Sequence, residues 1–252
     1  MKRFFYLVLF LGISQTLFAQ SFDHKHNVWD SLLKKHVKNG LVTYKGLNSE
    51  VTILNGYLNQ LTKVSDAEYQ SFTEKEKMSF LINAYNAFTV KLILDHYPVE
   101  SITDIGSPFS KINLARGIPW KKEFFQLLGK SRHLDWIEHE KLRKEFNEPR
   151  IHFAIVCASI GCPILQSEAY TSTNLEKQLQ TAKLVFLKNP KKNSYDKNTN
   201  TLYLSKIFNW FQPDFTKKSS LIQFVQDGFD ETIKPDAKII YNEYNWDLNE
   251  LK

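Results

Sequence analysis

The segment His152-Phe153-Ala154-Ile155-Val156-Cys157-Ala158-Ser159-Ile160-Gly161-Cys162-Pro163 carries the densest chemistry in the chain, including its only two cysteines. An apolar run enters a Gly/Pro turn, a rigid setting on which reactive groups are often displayed. Three chemistries fit. A disulfide requires Cα atoms within about 7 Å, which a turn between the two cysteines allows. A thiol nucleophile at Cys157 requires a lowered pKa and a base beside it. A metal site would use His139, His152, Cys157 and Cys162, but their spacing fits no standard zinc finger, and no metal or cofactor is assigned.

The base for a thiol is His139 or His152. Residues 150–156 read as a strand, on which His152 and Cys157 point to opposite faces. His139 shares a helix face with Trp136 and Arg143, so it is the better partner. Asn83 and Asn86 sit three apart on one side of a long apolar helix. A buried amide left unpaired costs about 1–3 kcal/mol, so each must meet a partner. That partner is either loop backbone, with residues 98–130 as the candidate, or a catalytic group that the amide orients or an oxyanion it stabilises.

Arg143 and Arg150 are either half of ordinary surface ion pairs or bidentate binders of a carboxylate or phosphate. Trp210, Phe211 and Trp246 are candidate ligand contacts, and Asp214 and Asp247 lie beside them, facing a pocket or capping a turn. His24, His26, His36, His96 and His133 fall in polar or terminal contexts that suggest the surface.

The elements that must position these groups are mostly helical. Thr73-x-x-Glu76 is a capping box, Pro98 closes the far end, and residues 73–97 between them are apolar almost all round. Such a helix is buried, and the domain is built around it. Further helices are expected at 22–38, 51–61, 66–71 and 175–187, and one opened by a second capping box, Asp135-x-x-Glu138, running to about residue 146. Short strands are expected at 41–44, 201–204 and 238–244. Residues 98–130 hold three prolines and three glycines and read as irregular. The expected fold class is α+β: a helix-rich single domain around a buried central helix, with a small, mostly antiparallel sheet.

Residues 1–19 have the layout of a secretory signal peptide: Lys2 and Arg3, an apolar run, then Ala19 at the cleavage position. The remaining 20–252 form one domain. Export places the protein in the periplasm or outside the cell, with no stable membrane span after cleavage. A formal charge of +6, part of it in the leader, with no block of like charges, gives no footprint for nucleic acid. The pairs Lys191-Lys192 and Lys217-Lys218 read as solvated surface.

Several of these segments resemble the signature of the domain of unknown function 547 family. The matching pieces are 80–87 (FLINAYNA), Ile137-Glu138-His139 with Leu142-Arg143, 149–154 (PRIHFA), 157–163 (CASIGCP) with Glu168-Ala169-Tyr170, 204–211 (LSKIFNWF) with Asp214-Phe215, and 244–249 (YNWDLN). They cover nearly all of the mature chain, with Asn245 standing where the pattern expects Asp. The resemblance implies no established activity. Its Cys and His motifs invite comparison with papain-like and transglutaminase-like thiol enzymes, although here the buried helix carries Asn83 where such a cysteine would sit.

Two functions follow as expectations. One is a thiol-dependent hydrolase or acyltransferase acting on peptide or cell-envelope amide bonds, with Cys157 as nucleophile, His139 or His152 as base, and Asn83 or Asn86 as orienting or oxyanion group. The other is a non-catalytic module for a small molecule, peptide or glycan, with structural cysteines.

Overall fold

The computed structural model describes residues 22–106 and 109–252, so the proposed leader lies outside the described residues. Four helices of ten residues or more are found among them: α1 (Asn27–His36), α2 (Val51–Lys63), α3 (Glu74–Leu94) and α4 (Leu175–Leu187). The capping box that opens α3 forms as expected. Thr73 Oγ1 accepts from the Glu76 amide, and the Glu76 carboxylate accepts from the Thr73 amide. Every residue from Met78 to Val90 is buried, so α3 is the axis of the molecule.

The strands are short and form three small sheets. β1 (Val37–Lys38) and β2 (Leu41–Val42) make one antiparallel hairpin, and β3 (Phe125–Leu127) and β4 (Lys130–Arg132) another. In the third, β5 (Ser194–Asp196) pairs antiparallel with β6 (Thr201–Leu204), which pairs parallel with β7 (Lys238–Tyr241). The fold is α+β, helix-rich and mostly antiparallel in its strands. The stretch 98–130 is more regular than expected, holding the β3–β4 hairpin and short helices at Ser110–Arg116 and Ile118–Lys121.

Two local readings are corrected. Residues 150–156 are not a strand. Pro149 to Phe153 form a 3-10 turn, with Pro149 at its start and the Glu148 carboxylate accepting from the Arg150 amide at 3.0 Å. The run 151–156 is buried at every position, and such a run lacks the alternation that separates a strand from a helical turn. The second capping box does not form either. Asp135 makes no side-chain cap, and Trp136–Leu142 winds as a π-helix before a last turn at Arg143–Glu145.

The apolar side chains fall into two clusters. The larger surrounds α3. The smaller joins Phe153, Phe186, Phe208, Phe215 and Val225 under the β5–β6–β7 sheet. The 3-10 turn lies on their seam, since Ile151 and Ala154 belong to the first cluster and Phe153 to the second. Not all histidines outside the seam are surface groups. His26 is buried with Nδ1 2.7 Å from the Tyr57 hydroxyl, and burial pushes its pKa down to about 3. His36 is buried 3.1 Å from the Glu50 carboxylate. No helix among the described residues is long and apolar enough to cross a membrane.

Candidate functional site

Leaving the 3-10 turn, the chain runs through Cys157 to Cys162 and is held from three directions. Cys157 and Cys162 are joined by a disulfide with a Cα–Cα separation of 6.1 Å. The C-terminal tail is strapped across the loop, Ile160 donating to the Asp247 carbonyl and Gly161 to that of Asn245, both at 2.8 Å. A Cβ at Gly161 would lie 2.7 Å from the Asn245 oxygen, so only glycine allows this approach. From the core side, Asn86 Oδ1 accepts from the Val156 amide and Nδ2 donates to the Ala154 carbonyl, each at 2.9 Å. Asn83 does the same at Tyr170, donating to its carbonyl at 2.7 Å and accepting from its amide at 3.0 Å.

The expectation that these asparagines orient a catalytic group is therefore corrected: both clamp backbone, though at 154–156 and 170 rather than 98–130. The nucleophile reading needs an open bridge. Cys157 is bonded sulfur, and its side-chain neighbours are the Ser159 and Tyr244 hydroxyls, not a base. The four-ligand metal reading loses its thiolates, and no cluster of metal-ligating side chains forms among the described residues.

The histidines nevertheless share a cavity with that sulfur. A cleft of ≈ 180 Å³ at the seam is lined by Tyr85, Glu138, His139, His152 and the disulfide. Trp120, Trp210, Phe211, Tyr244 and Trp246 wall it. The Tyr244 and Trp246 rings are 4.6 Å apart, and Trp210 lies 4.9 Å from Tyr244 and 5.9 Å from Trp246.

The polar side is a linked set. His152 Nε2–H donates to the Asp214 carboxylate at 2.8 Å, and Phe211 stacks on its ring at 4.0 Å. Nδ1 of His152 lies 3.7 Å from the Glu138 carboxyl. Arg143 donates to the same Asp214 oxygen at 2.6 Å and to His139 Nδ1 at 2.7 Å, which leaves the His139 proton on Nε2. Burial dominates the titration of three members. It raises the Glu138 carboxyl to about 8, helped by nearby Asp135 and partly offset by Arg143. It also lowers both His139 and His152. Asp214 moves the other way, held below the ordinary carboxylate range by its bonds to His152 and Arg143. At neutral pH the cleft thus presents a protonated carboxyl and two neutral imidazoles.

Neither arginine lines this cleft. Arg143 is used by Asp214 and His139, and Arg150 is forked between Glu148 and Glu176. Both pair within the protein, Arg143 across the seam rather than along a surface helix. The sequence offers Glu138 as part of a helix cap and of the Ile137-Glu138-His139 motif, not as a site group. The π-helix turns it inward instead, and Tyr85, Trp120 and Tyr244 carried no separate signal.

Residues 69–187 match the model of a family described as protein of unknown function, DUF547. This segment is a DUF547 domain. It spans a little under half of the chain and contains α3, the π-helix, the 3-10 turn, the disulfide and α4. The DUF547 segment thus supplies the polar side of the cleft, whereas Asp214 and most of the aromatic wall come from the chain beyond it. No curated protein and no solved structure matches the chain.

Proposed function

We propose that the seam cleft binds a peptide or glycan segment and that the cysteines serve it structurally, as a bridge that fixes the floor. One observation carries this reading: three aromatic faces, Trp210, Tyr244 and Trp246, share the cleft with the hydrogen-bonding groups of Glu138, His139 and His152, with the Asp135 carboxyl 3.9 Å from His139. Aromatic faces take the apolar side of a sugar ring or side chain. A protonated carboxyl both donates and accepts, as hydroxyl and amide ligands require. The disulfide supports an oxidising compartment, in keeping with an exported chain.

Tryptophan fluorescence tests it, because Trp120, Trp210 and Trp246 all line the cleft. Titration with neutral oligosaccharides in one arm and short peptides in the other should give a saturable change in one arm. Trp210→Ala should weaken it about tenfold or more, consistent with loss of a central aromatic contact. No response in either arm, or a response untouched by Trp210→Ala, overturns the reading.

A thiol-dependent hydrolase or acyltransferase is the second reading, favoured by Cys157 opening onto the same cleft as both histidines. It requires reduction of the bridge by an external thiol. Amide hydrolysis that appears only with reductant and disappears in Cys157→Ser supports it; reductant-independent binding without turnover removes it.

A further inference from the structure

A second cleft, of ≈ 390 Å³, lies against the same disulfide loop and is lined by Cys162, Pro163 and Tyr244, which also line the first. Lys192 opens onto it. The sequence places this residue in a solvated basic pair, yet it is only partly exposed. It donates to the Cys162 carbonyl and sits 5.3 Å from the centre of the Phe186 ring. Among the described residues no carboxylate lies within ion-pair distance of it, so a partly buried cation keeps two N–H donors without a protein partner. Around it the lining is rich in amides, with Asn39, Asn189, Asn242 and Asn245.

A desolvated cation without a counterion is costly, and an anion from solution relieves that cost. The charged residues lining the cleft are Lys191, Lys192 and Glu243, a balance of a single positive charge. That balance matches a monoanion better than a phosphate dianion. We propose that this second cleft is a carboxylate-binding site, with Lys192 as the charge partner and the asparagine amides as hydrogen-bond partners for a ligand the size of one sugar acid or a dipeptide. The site shares Cys162, Pro163 and Tyr244 with the aromatic cleft, but Lys192 lines only this one, so the response to its substitution separates the two and the assignment does not depend on what binds in the other. Burial holds the Lys192 ammonium at about 8, so it is charged at neutral pH, and a bound carboxylate stabilises the charged form.

The test is an amide NMR titration of the full chain with sodium glucuronate at constant ionic strength, with glucose and inorganic phosphate as parallel probes. Glucuronate should give saturable shifts confined to residues 39–41, 159–163, 189–193 and 242–245, and glucose none. Lys192→Met should weaken binding about tenfold or more, while Lys192→Arg keeps it. Exposed Glu243→Gln should tighten it about two- to five-fold by removing a like charge. If Lys192→Met does not fold, the Glu243→Gln shift carries the test. No saturable shift, an unchanged affinity in both variants, or tighter binding of phosphate than glucuronate overturns the assignment.

Discussion

Two sets of polar side chains, one buried and one partly open to solvent, hold the stretch 149–170, and they are satisfied in different ways. Asn83 and Asn86 are neutral, and each closes a two-bond ring with backbone. Glu138, His152, His139 and Asp214 are titratable: Asp214 and Arg143 tie the two histidines together, Glu138 stands beside His152 and Tyr85, and Glu138, His139 and His152 open onto a cavity. A fully satisfied amide has only a fold to hold. A carboxyl kept protonated at the wall of a cleft has a hydrogen bond to offer something else.

Breaking the neutral side of the contrast should have the largest effect. Asn86→Ala leaves the Val156 amide and the Ala154 carbonyl without partners in a dry core. It should cost about 2–5 kcal/mol, by equal amounts at pH 6 and pH 8 in urea unfolding. A loss that varies with pH would place Asn86 in the titrating set and erase the distinction.

Glu138→Gln tests the other side. The unfolded carboxyl ionises near its ordinary value, while the folded one stays protonated up to about 8. In that window the unfolded state has released a proton that the folded state keeps, so stability falls as pH rises and levels off above it. The variant has no such group. Its stability relative to wild type should therefore be near zero difference at pH 4, rise by a few kcal/mol toward pH 8, and then stay flat. A pH-independent offset would mean that Glu138 is not held protonated.

The bridge comes next. Closing so short a loop is worth about 2 kcal/mol in the chain-entropy account. Reduction should lower the melting temperature modestly and leave the cleft formed, since Asn86 and the tail strap still hold the loop. Cys157, which is partly exposed, should react with a thiol probe before buried Cys162.

The sequence reveals these two sets unequally. The buried helix is legible because its capping box, its length and its unbroken apolar surface all agree, and from that alone Asn83 and Asn86 needed partners. What they meet is not legible, because Tyr170 and the 154–156 backbone come from far along the chain. The titrating set is hidden by two local misreadings. A continuous apolar run carries no alternation, so 150–156 passes for a strand and its parity sets His152 apart from Cys157. Asp135-x-x-Glu138 has the spacing of a cap, whereas tertiary packing widens the turn to a π-helix and draws Glu138 inward. Asp214 was visible only as an acid beside aromatics, and its pairing with His152 spans 62 positions of the sequence.

Asp214→Asn is the finest test of the contrast. The carboxylate receives His152 and Arg143 and lies 3.5 Å from Lys217, but it borders solvent enough for screening to matter, so the loss should be about 1–2 kcal/mol at pH 7. Its folded pKa lies below its unfolded value, so its stabilisation is present above the unfolded value and is lost as pH falls through the folded one. The variant's stability relative to wild type should therefore start as a deficit at pH 7 and rise toward zero under acid, whereas that of Glu138→Gln is a surplus at pH 8 that falls toward zero under acid, so the two signed curves slope in opposite directions with pH. If the two curves run in the same direction, the carboxyls share one environment, and the cleft is not built from one acid held protonated and another held ionised. If they diverge, His152 sits between a permanent acceptor at Asp214 and a protonated Glu138. That arrangement fixes its Nε2–H on the protein and turns its other nitrogen toward the cleft carboxyl.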